Sequence, residues 1–237
     1  MASEAPILGD DIDCGLAGLG EFPLEQRRDR RWLLAARCVL AFAGCGLLAI
    51  QAQDSWVGRL DEAVSTLVAD RRSPAAIRAA RAISAAAEPA AVLMPLAVST
   101  VVATQRGGWR SNWVPGLTVL TGMTARRRLS QAVARPRPPA GTRLAETEGF
   151  SLPSKHTSLA ALTAGACTSA LGAGPVTSGT AALTAGAAVG ASRICLGVHW
   201  PTDVLAAWLF AVGWLAMADL VTAHSSDRAS MPGTDPR

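Results

Sequence analysis

Ser192-Arg193-Ile194-Cys195-Leu196-Gly197-Val198-His199-Trp200-Pro201-Thr202-Asp203 joins two apolar runs, 179–198 and 201–221. A second string, Pro153-Ser154-Lys155-His156, opens another apolar run at 157–173. The chain has only three histidines, and two stand in these strings beside charged or hydroxyl side chains. Ionisable groups at the ends of apolar helices mark a functional site at a membrane surface. Arg, Lys, Ser and His are the residue types that handle phosphate.

The surrounding chain has the composition of a membrane protein. Its 237 residues are half apolar, with 17% charged residues gathered between the apolar stretches, and the mean hydropathy is +0.27. That length suits one domain. The net charge of +4 comes without a basic stripe interleaved with aromatics, so nucleic acid is not an expected partner. A lipid bilayer is. Of the 22 basic residues only Lys155 is a lysine. Cys14, Cys38, Cys45, Cys167 and Cys195 form no CxxC and read as small buried apolar groups. No HExxH or Cys/His cluster is present, so no metal and no cofactor are expected.

Apolar segments at about 33–51, 86–104, 112–125, 157–173, 179–198 and 201–221 predict an all-α, polytopic membrane protein built as a bundle of six transmembrane helices. The Ala, Gly, Ser and Thr of 157–191 suit close helix packing in a bilayer. Trp32, Trp109, Trp113 and Trp200 stand near segment ends, as interfacial indoles or as packing residues. Residues 53–84 intersperse Asp54, Asp61, Glu62, Asp70, Arg71, Arg72, Arg78 and Arg81 with Ala and Leu, which predicts one or two amphipathic helices at the interface. Polar tails over 1–30 and 224–237 are expected to be disordered, leaving a domain at 31–223. His224 reads as a solvated residue without a role. With six spans, the loops after the third and fifth emerge on one face, so their residues can converge. Charge alone leaves orientation open: Arg27, Arg28, Arg30 and Arg31 favour a cytosolic N-terminus, yet the third loop is richer still in arginine.

Three elements carry chemistry. His199 and Asp203 are four apart, one turn on one helix face, and Pro201 is tolerated if it opens the helix. Asp203 can then fix the imidazole tautomer and leave the other nitrogen free, while Arg193 offers a bidentate contact to phosphate oxygens. The plainer alternative is a His and an Asp that satisfy each other at a helix start. In the second element, Gly149 to Ser158, free N–H groups face the loop. Ser154 adds a hydroxyl, Lys155 a point charge and His156 a general acid; this is compatible with Ser154 as a simple N-cap. The third element is Arg126-Arg127-Arg128-Leu129-Ser130-Gln131-Ala132-Val133-Ala134-Arg135-Pro136-Arg137-Pro138-Pro139, either a solvated basic loop or part of an anion site.

In this order the three elements resemble the type 2 phosphatidic acid phosphatase superfamily, whose pattern is Lys-x6-Arg-Pro, Pro-Ser-Gly-His, then Ser-Arg-x5-His-x3-Asp. Ser192, Arg193, His199 and Asp203 match the third motif throughout. The second matches except that Lys155 replaces Gly. In the first, pairing Arg137 with Pro138 puts Ser130 where Lys is usual, and pairing Arg135 with Pro136 puts Arg128 there; the first register is preferred. The resemblance implies that His199 attacks phosphorus to give a phosphohistidine, Asp203 orients it, and His156 protonates the leaving oxygen. It also implies that Arg137, Arg193 and Ser154 hold the phosphate oxygens without a metal, and that the site faces outward with the N-terminus inside. For the missing Lys, Lys155 or Arg127 is the expected substitute, with Arg128 in the other register.

The expected activity is therefore that of a membrane-embedded lipid phosphate phosphatase acting on phosphatidic acid, phosphatidylglycerol phosphate or a polyprenyl phosphate or diphosphate. Two alternatives keep the same residues: a phosphoryl or headgroup transferase, and a non-catalytic lipid-phosphate binding or transport protein.

Overall fold

The computed structural model describes residues 24–52, 56–107 and 113–229. Among these are eight α-helices and no strand: α1 Leu24–Gln51, α2 Trp56–Asp70, α3 Pro74–Ala85, α4 Pro89–Gly107, α5 Val114–Val133, α6 Lys155–Ala170, α7 Pro175–Cys195 and α8 Pro201–Ala229. The fold is all-α. Helices α1 and α4 to α8 coincide with the six apolar segments, while α2 and α3 occupy the amphipathic stretch. Trp109, Asp54 and Cys14 lie outside the described residues. So do 1–23 and 230–237, most of the two expected tails; within those tails, α1 already begins at Leu24 and α8 continues to Ala229.

Helix α6 is the axis of the bundle, packing against α4, α5, α7 and α8. Eleven of its 16 residues are buried, among them Thr157, Ser158, Leu159, Leu162 and Cys167. A helix enclosed by other helices meets no lipid, so Ala, Gly, Ser and Thr serve it better than bulky apolar residues. Among the described residues two helices, over Arg28–Gln51 and Pro201–Thr222, are long and apolar enough to cross a membrane on their own. A third candidate is the pair Pro74–Ala85 and Pro89–Gln105, bent by 51° at the break.

The outer helices are joined by specific contacts. Phe210 and Trp214 of α8 stack at 5.6 Å, and Phe42 of α1 meets both edge-on. Trp214 Nε1 donates to the Thr118 carbonyl of α5 at 3.1 Å. At Gly190 of α7, any Cβ would collide with Val204 of α8, so that glycine sets how closely the two helices approach.

Helix α2 packs the opposite way round from an amphipathic helix of a soluble protein. Its apolar residues Trp56, Leu60, Val64 and Leu67, on one helical face, are exposed, whereas Val57 and Asp61 face inward. An outward apolar stripe is the pattern of a helix lying in the bilayer interface. Helix α3 opens with Ser73 Oγ accepting from Ala76 N and Pro74 in the first turn. From α2–α3, Arg72 Nη1 donates to the Thr142 carbonyl at 3.0 Å and Arg81 Nη2 to that of Leu144 at 3.3 Å. These bonds tie the segment to the α5–α6 loop. The same end of the bundle therefore gathers α2, α3, the end of α5, the starts of α6 and α8, and the end of α7.

Candidate active site

His199 stands in the five-residue link between α7 and α8. Gly197 makes that link possible: its φ is +68°, and a Cβ there would lie 2.5 Å from the Thr142 carbonyl oxygen. Pro201 begins α8 and Asp203 falls in its first turn. His199 is 1% exposed and Asp203 is fully buried. Asp203 Oδ2 lies 3.2 Å from His199 Nδ1 and accepts from Trp200 N at 2.9 Å. On the other side of the ring, Arg137 Nη1 is 3.0 Å from Nε2. A guanidinium can only donate, so Nε2 must accept and the ring proton sits on Nδ1, directed at Asp203.

That arrangement leaves the ring's lone pair at Nε2. Burial pushes the His199 imidazole down from 6.5 to about 4, against the pull of Asp203. It is therefore neutral at physiological pH. In the window from about 4 to 6.5 the unfolded chain binds a proton that the folded chain refuses, so His199 costs stability as pH falls through that window and nothing above it. With 15N-histidine labelling, the His199 signals should show a proton on Nδ1 and a bare Nε2, with a midpoint near pH 4. A midpoint near 6.5 or the other tautomer would contradict this geometry.

Behind Asp203 lies a buried ionic chain that the sequence did not reveal. Arg135, 4% exposed, donates from Nη1 to Asp203 Oδ1 and from Nη2 to Asp61 Oδ2, both at 2.7 Å. Asp61, from α2, also accepts from Thr202 N at 2.9 Å and from the Thr202 hydroxyl. It thus caps the positive end of α8 from another helix. Ser151 Oγ approaches Asp203 Oδ1 at 3.3 Å, and the Arg135 guanidinium lies 5.7 Å from the Trp200 ring centroid. Arg135 is therefore committed to holding carboxylates and is not turned toward a ligand.

His156 is the second residue of α6. Its Nε2 lies 2.9 Å from Glu88 Oε1, and this hydrogen bond holds the Glu88 carboxyl below the usual carboxylate range. The carboxylate accepts, so Nε2 carries a proton. Glu88 sits between α3 and α4 and is the sole acidic residue between Asp70 and Glu146, an isolation that the sequence itself displays. The Arg193 charge acts on both His156 and His199. The α6 and α8 starts are also linked directly, by Ser154 N donating to the Asp203 carbonyl at 3.1 Å. The segments that carry the two histidines thus meet.

The remaining expected residues divide. Arg193 is 4% exposed and donates from Nη1 to Ser84 Oγ of α3 at 2.6 Å, while its buried Nε has no partner. Arg137 has all five N–H donors engaged: to the carbonyls of Glu148, Gly149, Phe150 and Val198, and to His199. Ser154 is buried with its Oγ accepting from Thr157, so its hydroxyl proton is free to turn toward a ligand. It precedes α6 without a side-chain capping bond. Lys155 is exposed at the first position of α6, where its charge reaches His156 and Glu88. Arg127 and Arg128 are turned outward on α5, whereas Arg126 and Ser130 lie on its buried stripe with Thr118, Val119 and Gly122. The helix phase, which the triple arginine run conceals, selects Arg126 and not Arg127. Among the described residues no group of three or more His, Cys, Asp or Glu could hold a metal ion.

Fold and site together define an integral membrane protein with two carboxylate-bound histidines beside several guanidinium groups at one end of a helical bundle. Residues 113–225, just under half of the chain, match the family model of the PAP2 superfamily, and this segment is similar to that superfamily. It spans α5 to α8 and both histidines; Asp61, Ser84 and Glu88 lie outside it. The crystal structure described as the first transmembrane PAP2 type phosphatidylglycerolphosphate phosphatase, from Bacillus subtilis, superposes with a TM-score of 0.67 at 22% identity. The alignment covers 82% of this chain and 98% of that one, a shared fold. No curated protein matches the sequence.

Proposed function

We propose that the protein is a lipid phosphate phosphatase that hydrolyses a phosphomonoester or diphosphate of a lipid through a phosphohistidine, without a metal. The observation that carries this reading is the polarised His199, Nδ1–H on Asp203 and Nε2 bare beside Arg137. Binding alone would not need a buried imidazole kept neutral with an oriented lone pair.

In the first step the Nε2 lone pair forms an N–P bond as the P–O bond to the lipid breaks. His156 acts as an imidazolium: it keeps its Nε2 proton on Glu88 and passes its Nδ1 proton to the leaving alkoxide or phosphate. The charge that His199 gains is stabilised by Asp203, which Arg135 and Asp61 hold in place. In the second step water attacks phosphorus, His156 takes its proton, and the N–P bond breaks to return His199 and release phosphate. Guanidinium groups stabilise the charge on the equatorial oxygens throughout. A site at the bundle end, beside the interfacial α2 stripe, lets a lipid present its headgroup while its chains stay in the bilayer. The Arg30 end of α1 lies at the other end of the bundle, near Asp219 of α8; an outward-facing site with the N-terminus inside is what the superfamily resemblance implies.

Phosphate release by detergent-purified protein tests the reading on phosphatidic acid, phosphatidylglycerol phosphate and polyprenyl diphosphate, with and without EDTA. Release unaffected by EDTA is expected. Loss with EDTA would overturn the metal-free mechanism, and transfer to an added alcohol in place of water would identify a transferase.

A further inference from the structure

The cations around His199 are unequally committed. Arg135 is spent on Asp61 and Asp203, and every donor of Arg137 is occupied by backbone carbonyls and His199. Glu88 is engaged with His156. Among the described residues three guanidinium groups keep a buried Nε without a partner: Arg72, half-buried and bonded to the Thr142 carbonyl, and two that are buried, Arg193, 4% exposed, and Arg126, 8% exposed. Among the described residues neither of these two has a carboxylate within ion-pair distance, and the Arg137 charge acts on both. Buried like charges without a counter-ion are strongly unfavourable in a membrane protein. They are retained where an anion completes the set.

We propose that Arg126 is a phosphate-binding residue of this site and supplies, from one helical turn before Ser130, the positive charge absent at position 130. This rests on the reading of the site as a phosphate site and deepens it. Arg126 and Ser130 share the buried stripe of α5, four residues or about 6 Å apart along the axis, and the Arg137 charge of the site reaches Arg126. Arg127 and Arg128 are turned outward.

The test uses the full chain in detergent, with orthovanadate as the probe and Arg126→Gln, Arg126→Lys and Arg126→Gln/Ser130→Lys as variants. Without anion, Arg126→Gln should melt at the same temperature as the wild type or higher, since an uncompensated buried charge is gone. It should need at least ~tenfold more orthovanadate for half-maximal stabilisation, the loss of a charge-assisted contact, with kcat/KM falling alongside. Arg126→Lys and the Ser130→Lys double variant should recover part of that loss. An orthovanadate midpoint within about twofold of the wild type would overturn the assignment, as would a variant that unfolds or melts lower without anion, which marks a structural role. Orthovanadate binding that depends on Arg126 in a wild type that hydrolyses no lipid phosphate would overturn the hydrolase reading and leave this assignment standing.

Discussion

His199→Ala is expected to lower phosphate release by about 10⁴-fold or more while leaving the protein folded. The magnitude follows from the route lost. Without Nε2 no N–P bond forms, and water must attack a phosphoryl group with only the positioning and electrostatic help that remains. Asp203→Asn should also be severe. An amide can donate to Nδ1 and stabilise the tautomer whose proton sits on Nε2, which has no lone pair to attack with. Stability separates the two, because Asp203 anchors Arg135 and Trp200 N as well as His199. Thermal melts should therefore fall further for Asp203→Asn than for His199→Ala. Turnover of His199→Ala within tenfold of the wild type would assign the nucleophile elsewhere.

Arg135→Leu carries the largest expected effect on stability. The change leaves Asp61 and Asp203, 2% and 0% exposed, as two buried carboxylates without their shared cation. Removing one partner of a buried ion pair costs about 3–5 kcal/mol, and here two pairs share the lost residue. The folded protein should melt markedly lower. Activity should fall with it, because Asp203 would no longer be fixed against Nδ1. Asp61→Asn/Arg135→Leu should recover part of the stability, since one stranded charge is removed. A melt unchanged by Arg135→Leu would mean that the chain from α2 to α8 does not hold the site together.

How much of this was legible in the sequence depended on how local each relation is. His199 and Asp203 meet as the four-residue spacing requires, and Pro201 opens α8 as its missing N–H allows. The six apolar segments became helices for the same reason, including the small-residue α6 that encloses itself in protein. Asp61 was not legible as a site residue: its partners are Arg135 and Thr202, 74 and 141 residues away. The usual rule that an amphipathic helix buries its apolar face also fails for α2, whose solvent on that side is lipid. In Arg126-Arg127-Arg128, composition could not fix which arginine faces inward; only the helix phase does. Arg135 and Arg137 likewise differ by two residues in a non-helical loop, and only their contacts separate the carboxylate clamp from the residue beside Nε2. Glu88 had a signal in its isolation, but its distance from His156 in the chain hid its role.

The central claim is that His199 becomes covalently phosphorylated while His156 serves the leaving group and then the water. A rapid-quench experiment on His156→Ala with 32P-labelled nitrophenyl phosphate tests it most directly. That leaving group departs without an acid, so the first step should proceed and the second should stall. An alkali-stable, acid-labile label is predicted to accumulate, and peptide mapping should place it on His199. A label on another residue, or full turnover through hydrolysis with no label and no burst of nitrophenol, would contradict the account.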